Sequence, residues 1–389
     1  MGEKLSKNSF LIIWLIMLLK ILTMKSGLEY IIIIVAGITI LTNLKRLIFS
    51  EFELQVIKSF ALFLGVLLIG FFSNPTFIAL RTIIGGLSVL IIIIYGINFC
   101  TIRSPFFCGI TFSGSCLTLI SQYSINGNLG FEGNNTFAGI LLFVYLLSVS
   151  FMLLETNYYE IVVFGIINYI FVFYLIFISN SRTSLIVLMG ISVLCPIIIL
   201  LRKLIDLIGY KLVFLSFFGV LLGIIAIYIN VSSFSWFNSI DALSVAIFGK
   251  HLNSSRSFLW TSQLERISGM NLIWGLGTGK LPDLARYADS SFHNTFIQIF
   301  IQNGIIGVLS MILVLFVFWN KLGKFVKYKK AAIFLCFFIG IIVYNCFEVT
   351  MFSNKISIGI IQWMILIFGI KCTSCIEQNE KDKIGRNKS

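Results

Sequence analysis

Twelve mostly apolar stretches, each about the length a helix needs to cross a bilayer, follow one another along this chain. They cover 8–25, 28–44, 55–73, 77–99, 104–123, 136–154, 160–179, 183–201, 212–230, 294–319, 331–350 and 355–371. In hydrocarbon a backbone must satisfy its own N–H and C=O groups, which a single segment does only as an α-helix. The pattern therefore predicts an all-α, polytopic integral membrane helical bundle of about 12 transmembrane helices. Composition agrees: 58% of residues are hydrophobic and 12% charged, against about 25% charged in soluble domains. A cytosolic enzyme and a disordered regulator are excluded. The formal charge of +13 is spread over short runs between apolar stretches, which orients helices and leaves no surface for nucleic acid.

Lys and Arg set the orientation. With both termini cytoplasmic, 19 of the 29 basic residues fall on the inner side, and the run from Lys321 to Lys330 is the strongest anchor. No small-residue cleavage site follows the first apolar stretch, which is read as a retained helix. The chain reads as one membrane-embedded domain, 1–389, with a long extracytoplasmic loop at 231–292. A connection of that length is usually functional, and this one holds nearly all the versatile side chains outside the cytoplasm. Within it, a helix beginning near Arg256 is expected to lie at the bilayer surface, with Phe258, Leu259, Trp260, Leu264 and Ile267 on one apolar face. Pro282 is expected to open a further short helix.

Several residues could do chemistry. His293 precedes a spanning helix, whose positive end keeps an imidazole neutral and able to accept a proton; the plain alternative is a helix-capping histidine. Arg182 opens another span, where an ionisable group defaults to a functional reading, against simple snorkelling to headgroups. Arg81 is a weaker case of the same kind. Arg256, Arg266, Lys280 and Arg286 together could bind a diphosphate, since guanidinium forks match phosphate oxygens. The turn Gly275-Leu276-Gly277-Thr278-Gly279 could bring backbone N–H groups to an anion. Asp241, Glu265, Asp283, Asp289 and Glu348 are the acidic candidates. Two histidines, no DxD pair outside the membrane and a lone CxxC at Cys372 to Cys375 indicate no metal site.

Four ordered stretches resemble the O-antigen ligase and O-antigen polymerase superfamily of bacterial envelope enzymes: Gly133-Asn134-Asn135-Thr136-Phe137-Ala138; Ser181-Arg182-Thr183-Ser184; Arg256 and Trp260 followed by Trp274 to Gly279; and His293-Asn294-Thr295-Phe296 with Asn303-Gly304-Ile305-Ile306-Gly307. Many relatives have proline where Asn134 stands. The resemblance implies a metal-independent glycosyltransferase in the bacterial cytoplasmic membrane, without a cofactor. Donor and acceptor would be glycans linked to undecaprenyl diphosphate, handled on the outer leaflet, with a chain-length regulator and a flippase as further partners. It implies catalytic roles for His293, Arg182 and Arg256. Substrate contacts are expected from Arg81, Asn135, Trp260, Arg266, Gly277, Gly279, Lys280, Arg286 and Asn294. The moderate loop and the divergence of such polymerases favour polymerisation of repeat units over ligation of a finished glycan. A transporter would set its ionisable groups near the bilayer midplane instead, so a flippase ranks third.

Overall fold

The computed structural model describes residues 12–16, 27–47, 49–99, 134–155, 158–231, 234–249, 251, 256–282, 291–352 and 356–386. Among these the regular elements are all helical: α1 (Leu28–Thr42), α2 (Glu51–Ser73), α3 (Phe77–Phe99), α4 (Asn134–Glu155), α5 (Tyr158–Ile178), α6 (Arg182–Ile208), α7 (Tyr210–Ile229), α8 (Phe237–Phe248), α9 (Arg256–Leu264), α10 (Asn271–Trp274), α11 (Thr295–Gly323), α12 (Lys329–Asn345) and α13 (Ile356–Arg386). One 3₁₀ turn, Leu44–Arg46, follows α1.

Local chemistry explains several boundaries. Ser50 and Glu53 form a capping box at the start of α2: Glu53 N–H donates to Ser50 Oγ at 3.3 Å, and Ser50 N–H to Glu53 Oε2 at 2.7 Å. Gly209, at φ 98°, makes the one-residue joint between α6 and α7, a conformation that excludes most side chains. Asn294 caps α11 by accepting from Ile297 N–H at 2.9 Å.

Seven helices among the described residues are long and apolar enough to cross a membrane. Of the twelve segments expected, 104–123 and most of 8–25 lie outside the described residues. The segments 28–44 and 160–179 form helices with shorter apolar cores, at Leu28–Thr42 and Tyr158–Ile178, and 331–350 forms the 17-residue helix Lys329–Asn345. Two boundaries differ in ways that matter. The segment 331–350 stops being helical at Asn345, so Glu348 stands on irregular chain. The segment 355–371 continues to Arg386 as one helix, whose length of about 46 Å at 1.5 Å per residue exceeds a hydrocarbon core of about 30 Å. Helix α8 has no counterpart in the sequence reading.

The bundle is layered. Helices α4 and α13 lie inside it, 83% buried over their apolar windows, whereas α7 is 22% buried and α6 33%, so these two form the rim. Helix α11 packs against α2, α6 against α12, and α13 against α3 and α4. Phe60, Phe318, Phe352 and Trp363 meet edge-on or tilted where α2, α11 and α13 converge, the arrangement aromatic quadrupoles prefer. The two ends of the bundle differ chemically. At one, Lys321 pairs with Glu377 at 2.7 Å, Lys327 with Glu380 at 3.1 Å, and Arg202 Nε donates to Lys327 O at 3.0 Å. Arg182 opens α6, about 30 Å from Arg202 along the helix, and so lies at the opposite end.

Candidate functional site

At that opposite end, Glu348 stands between two side chains from elements distant in sequence. Arg256 Nη2 donates to its Oε1 at 3.1 Å, and Oε2 lies 3.5 Å from His293 Nδ1. The second separation falls outside hydrogen-bond geometry, and the buried Nδ1 has no hydrogen-bond partner. Glu348 is 9% exposed, Arg256 14% and the imidazole 37%. A carboxylate this deep keeps its charge only beside cations or donors, and Arg256 supplies both. Arg256 also donates through Nη1 to Phe347 O at 2.7 Å.

Asn345 shapes the irregular segment that carries Glu348. Its Oδ1 accepts from Thr350 Oγ1 and Met351 N–H, each at 3.1 Å, and from Thr295 Oγ1 at 3.1 Å, while its Nδ2 donates to Ile341 O at 2.9 Å. Gln362 Nε2, on α13, donates to Thr350 Oγ1 at 3.0 Å. One buried amide thus ties the end of α12, the start of α11 and the face of α13 together beneath the carboxylate.

His293 is set from the other side. Its φ of 54° is left-handed, which a residue with a Cβ adopts only when its surroundings impose it. Trp260, fully buried, donates Nε1–H to Phe292 O at 2.7 Å, and Asn294 caps the helix on the far side. The histidine is therefore pinned at both neighbours.

Arg182 donates through Nη1 to Ser244 Oγ at 3.0 Å, on α8, and to His251 O at 2.7 Å. It lies within electrostatic reach of Arg256, Asp241 and Tyr228. Tyr228 is in reach of both arginines, and its ring packs 5.2 Å from Trp260 and 5.8 Å from Phe347. The Asp241 carboxylate pairs with His251 Nδ1 at 2.8 Å. Arg182, Arg256 and His293 therefore share one neighbourhood, with Glu348 and Tyr228 between them.

The glycine-rich turn is built differently from expectation. Three of its N–H groups are spent inside the protein: Leu276 donates to Ile301 O at 2.8 Å, Gly277 to Gln302 O at 2.9 Å and Thr278 to Gly70 O at 3.0 Å. Those from residues 276 and 277 satisfy carbonyls freed where α11 breaks at Gly304, whose φ is 63°. A Cβ on Gly277 would stand 2.4 Å from Asn74 Cβ, and one on Gly279 2.4 Å from Ala79 N. These glycines permit close packing against α2 and α3. Thr278 locks the turn: Oγ1 donates to Leu67 O at 2.8 Å and accepts from Asn303 Nδ2 at 2.7 Å.

The remaining expected site residues are dispersed. Asn294 is buried as the cap. Asn135 is half-buried in the first turn of α4, Arg81 is exposed on α3, Arg266 is exposed after α9, and Lys280 is half-buried with its carbonyl accepting from Gln302 Nε2 at 2.9 Å. Arg286, Asp283, Asp289 and the helix expected after Pro282 lie outside the described residues. On α9, Leu259 and Trp260 face inward but Phe258 is 64% exposed, so the buried face is rotated from the one expected and includes Ser257 and Gln263. No group of three or more His, Cys, Asp or Glu side chains gathers as a metal site among the described residues.

Sequence reasoning gave Glu348 no partner and overlooked Tyr228 and Asn345. The available signal was a polar pair, Asn345 and Glu348, breaking the end of an otherwise apolar segment.

Residues 167–312 match the family model described as O-antigen ligase. No curated protein matches the chain. The match spans Arg182, Arg256, the glycine-rich turn and His293, and supports an O-antigen ligase or polymerase type of function, acting on lipid-linked glycans. Over these residues, somewhat more than a third of the chain, the protein is similar to the O-antigen ligase family, in line with the superfamily that its ordered motifs resemble.

Proposed function

We propose that the protein is a polysaccharide polymerase. It would move a growing glycan from undecaprenyl diphosphate onto a newly exported, lipid-linked repeat unit at the outer face of the bacterial cytoplasmic membrane. The observation supporting this reading is Glu348 held between Arg256 and His293, with Arg182 alongside.

The chemistry follows from that arrangement. An acceptor hydroxyl oxygen attacks the anomeric carbon, and the bond from that carbon to the diphosphate oxygen breaks, its electron pair leaving with the diphosphate. The hydroxyl proton passes to the second imidazole nitrogen, Nε2, and from there to solvent. Glu348 stabilises the imidazolium that forms on the Nδ1 side, as a carboxylate does when it orients a histidine base. Charge building on the diphosphate is met by Arg182 and Arg256, whose planar guanidinium groups match phosphate oxygens in a fork. These guanidinium groups take the part that a divalent ion plays in many glycosyltransferases, so transfer proceeds in the presence of a chelator.

A ligase would use the same donor residues with a different acceptor, lipid A core or another saccharide, and the family description favours it as the second reading. Deleting the gene and analysing lipid-linked glycans separates the two. Single repeats on the carrier mean polymerase, and long polymer stranded on the carrier means ligase. Precursor trapped on the cytoplasmic face would replace both with a flippase.

A further inference from the structure

The lysine-rich end of the bundle, opposite the site above, encloses an open cavity of about 780 Å³ between the start of α2, the end of α11 and the distal part of α13. Its apolar floor is Phe52, Ile97 and Ile370. Helix α2 begins at Glu51 and α3 ends at Phe99, so the cavity lies where two spanning helices end, at the level of lipid headgroups.

Its charges are balanced, with three lysines and three carboxylates on the lining. Lys321 and Lys381 share the Glu377 carboxylate, at 2.7 and 3.3 Å. That leaves Lys324 as a further cation and Glu51 and Asp382 as further anions on the lining. One oxygen of Glu51 accepts from Gln55 Nε2 at 3.3 Å. Asn320 also lines the cavity, and its buried Oδ1 has no hydrogen-bond partner. A buried acceptor left alone costs about 1–3 kcal/mol, so the lining lacks a hydrogen-bond donor.

We propose that this cavity binds the headgroup of a zwitterionic phospholipid bearing a primary amine. The phosphate sits toward Lys324, and the ammonium donates to Asn320 Oδ1 and faces Glu51 and Asp382. A net-neutral ligand with both charges matches a lining with no net charge. An anionic glycerol headgroup would meet two carboxylates, and a quaternary amine has no N–H for Asn320.

The test uses the purified full chain in detergent. Phosphatidylethanolamine, phosphatidylcholine and phosphatidylglycerol are each titrated, with thermal unfolding and native mass spectrometry as readouts. The expected result is one saturable phosphatidylethanolamine, held about tenfold more tightly than either other lipid. Asn320→Leu should erase the preference over phosphatidylcholine, and Lys324→Gln should weaken phosphatidylethanolamine binding by about tenfold. Equal binding of the three lipids, or a preference for phosphatidylglycerol, overturns the proposal whether or not the variants fold. Glycerophosphoethanolamine identifies the source: if this tail-less compound binds as tightly as the lipid, a membrane ligand is overturned.

Discussion

Glu348 is buried, charged and adjacent to two basic groups, so its neighbours cannot be removed independently. Arg256→Ala would leave the carboxylate without its bonded cation, at a cost of about 3–5 kcal/mol for a broken buried pair. Arg256→Ala combined with Glu348→Gln should recover most of that stability in thermal unfolding while polymer synthesis stays absent, which separates folding from chemistry. Glu348→Gln alone should fold and lose activity. For His293 the constraint is the left-handed backbone, φ 54°. Asparagine tolerates that conformation better than a β-branched residue. His293→Asn should therefore remain folded and lose about 10²–10⁴-fold in transfer, the usual worth of a proton-transferring group, whereas His293→Val should also lose stability. Wild-type activity in His293→Asn would remove the imidazole from the mechanism. Both residues beside Glu348 were legible beforehand, because a histidine at a helix start and an arginine opening a loop helix stand out among apolar neighbours. The carboxylate was visible only as one acidic candidate among five, since nothing local shows that the chain after Asn345 turns back over the start of α11.

A broken helix and an inserted turn form a single unit at the scale of elements. Helix α11 is interrupted at Gly304, and the turn from Gly275 to Gly279 fills the break, its N–H groups capping carbonyls that the interruption exposes. A Cβ at residue 304 would stand 2.2 Å from Ile273 O, in a conformation that also disfavours side chains. Gly304→Ala should therefore lower the yield of folded protein sharply, measured by detergent-resistant monodispersity, although the residue is no part of the proposed chemistry. Thr278→Val removes one donated and one accepted hydrogen bond in a dry environment and should cost about 1–3 kcal/mol for each group left unpaired. Both variants would displace His293 through the half-helix from Thr295 to Asn303, so activity should fall with stability. The glycine pattern was visible in the sequence but pointed to an anion. A turn rich in glycine suits close approach of any partner, and here the partner is the protein's own α2, α3 and α11.

Across the whole molecule, the basic and reactive ends lie at opposite extremes of the same helices. Cys375, exposed on α13 near Lys371 and Lys381, marks the lysine-rich end, and Ser291 lies two residues from His293. In whole cells a membrane-impermeant thiol reagent should label Ser291→Cys in a Cys375→Ser background, and should reach Cys375 only after permeabilisation. The reverse pattern would put the reactive end in the cytoplasm. Hydrophobic length and the scarcity of charge were enough to establish a helical membrane bundle, because a backbone in hydrocarbon has so few ways to satisfy itself. Motif order pointed to the superfamily whose ligase model matches residues 167–312, and singled out Arg182, Arg256 and His293, which the fold brings into one neighbourhood. Helix packing alone joined Glu348, Tyr228 and Asn345 to them and turned the glycine-rich stretch into a structural wedge. Those outcomes depend on contacts between segments tens to hundreds of residues apart, and neither periodicity nor local spacing encodes which buried polar groups will meet.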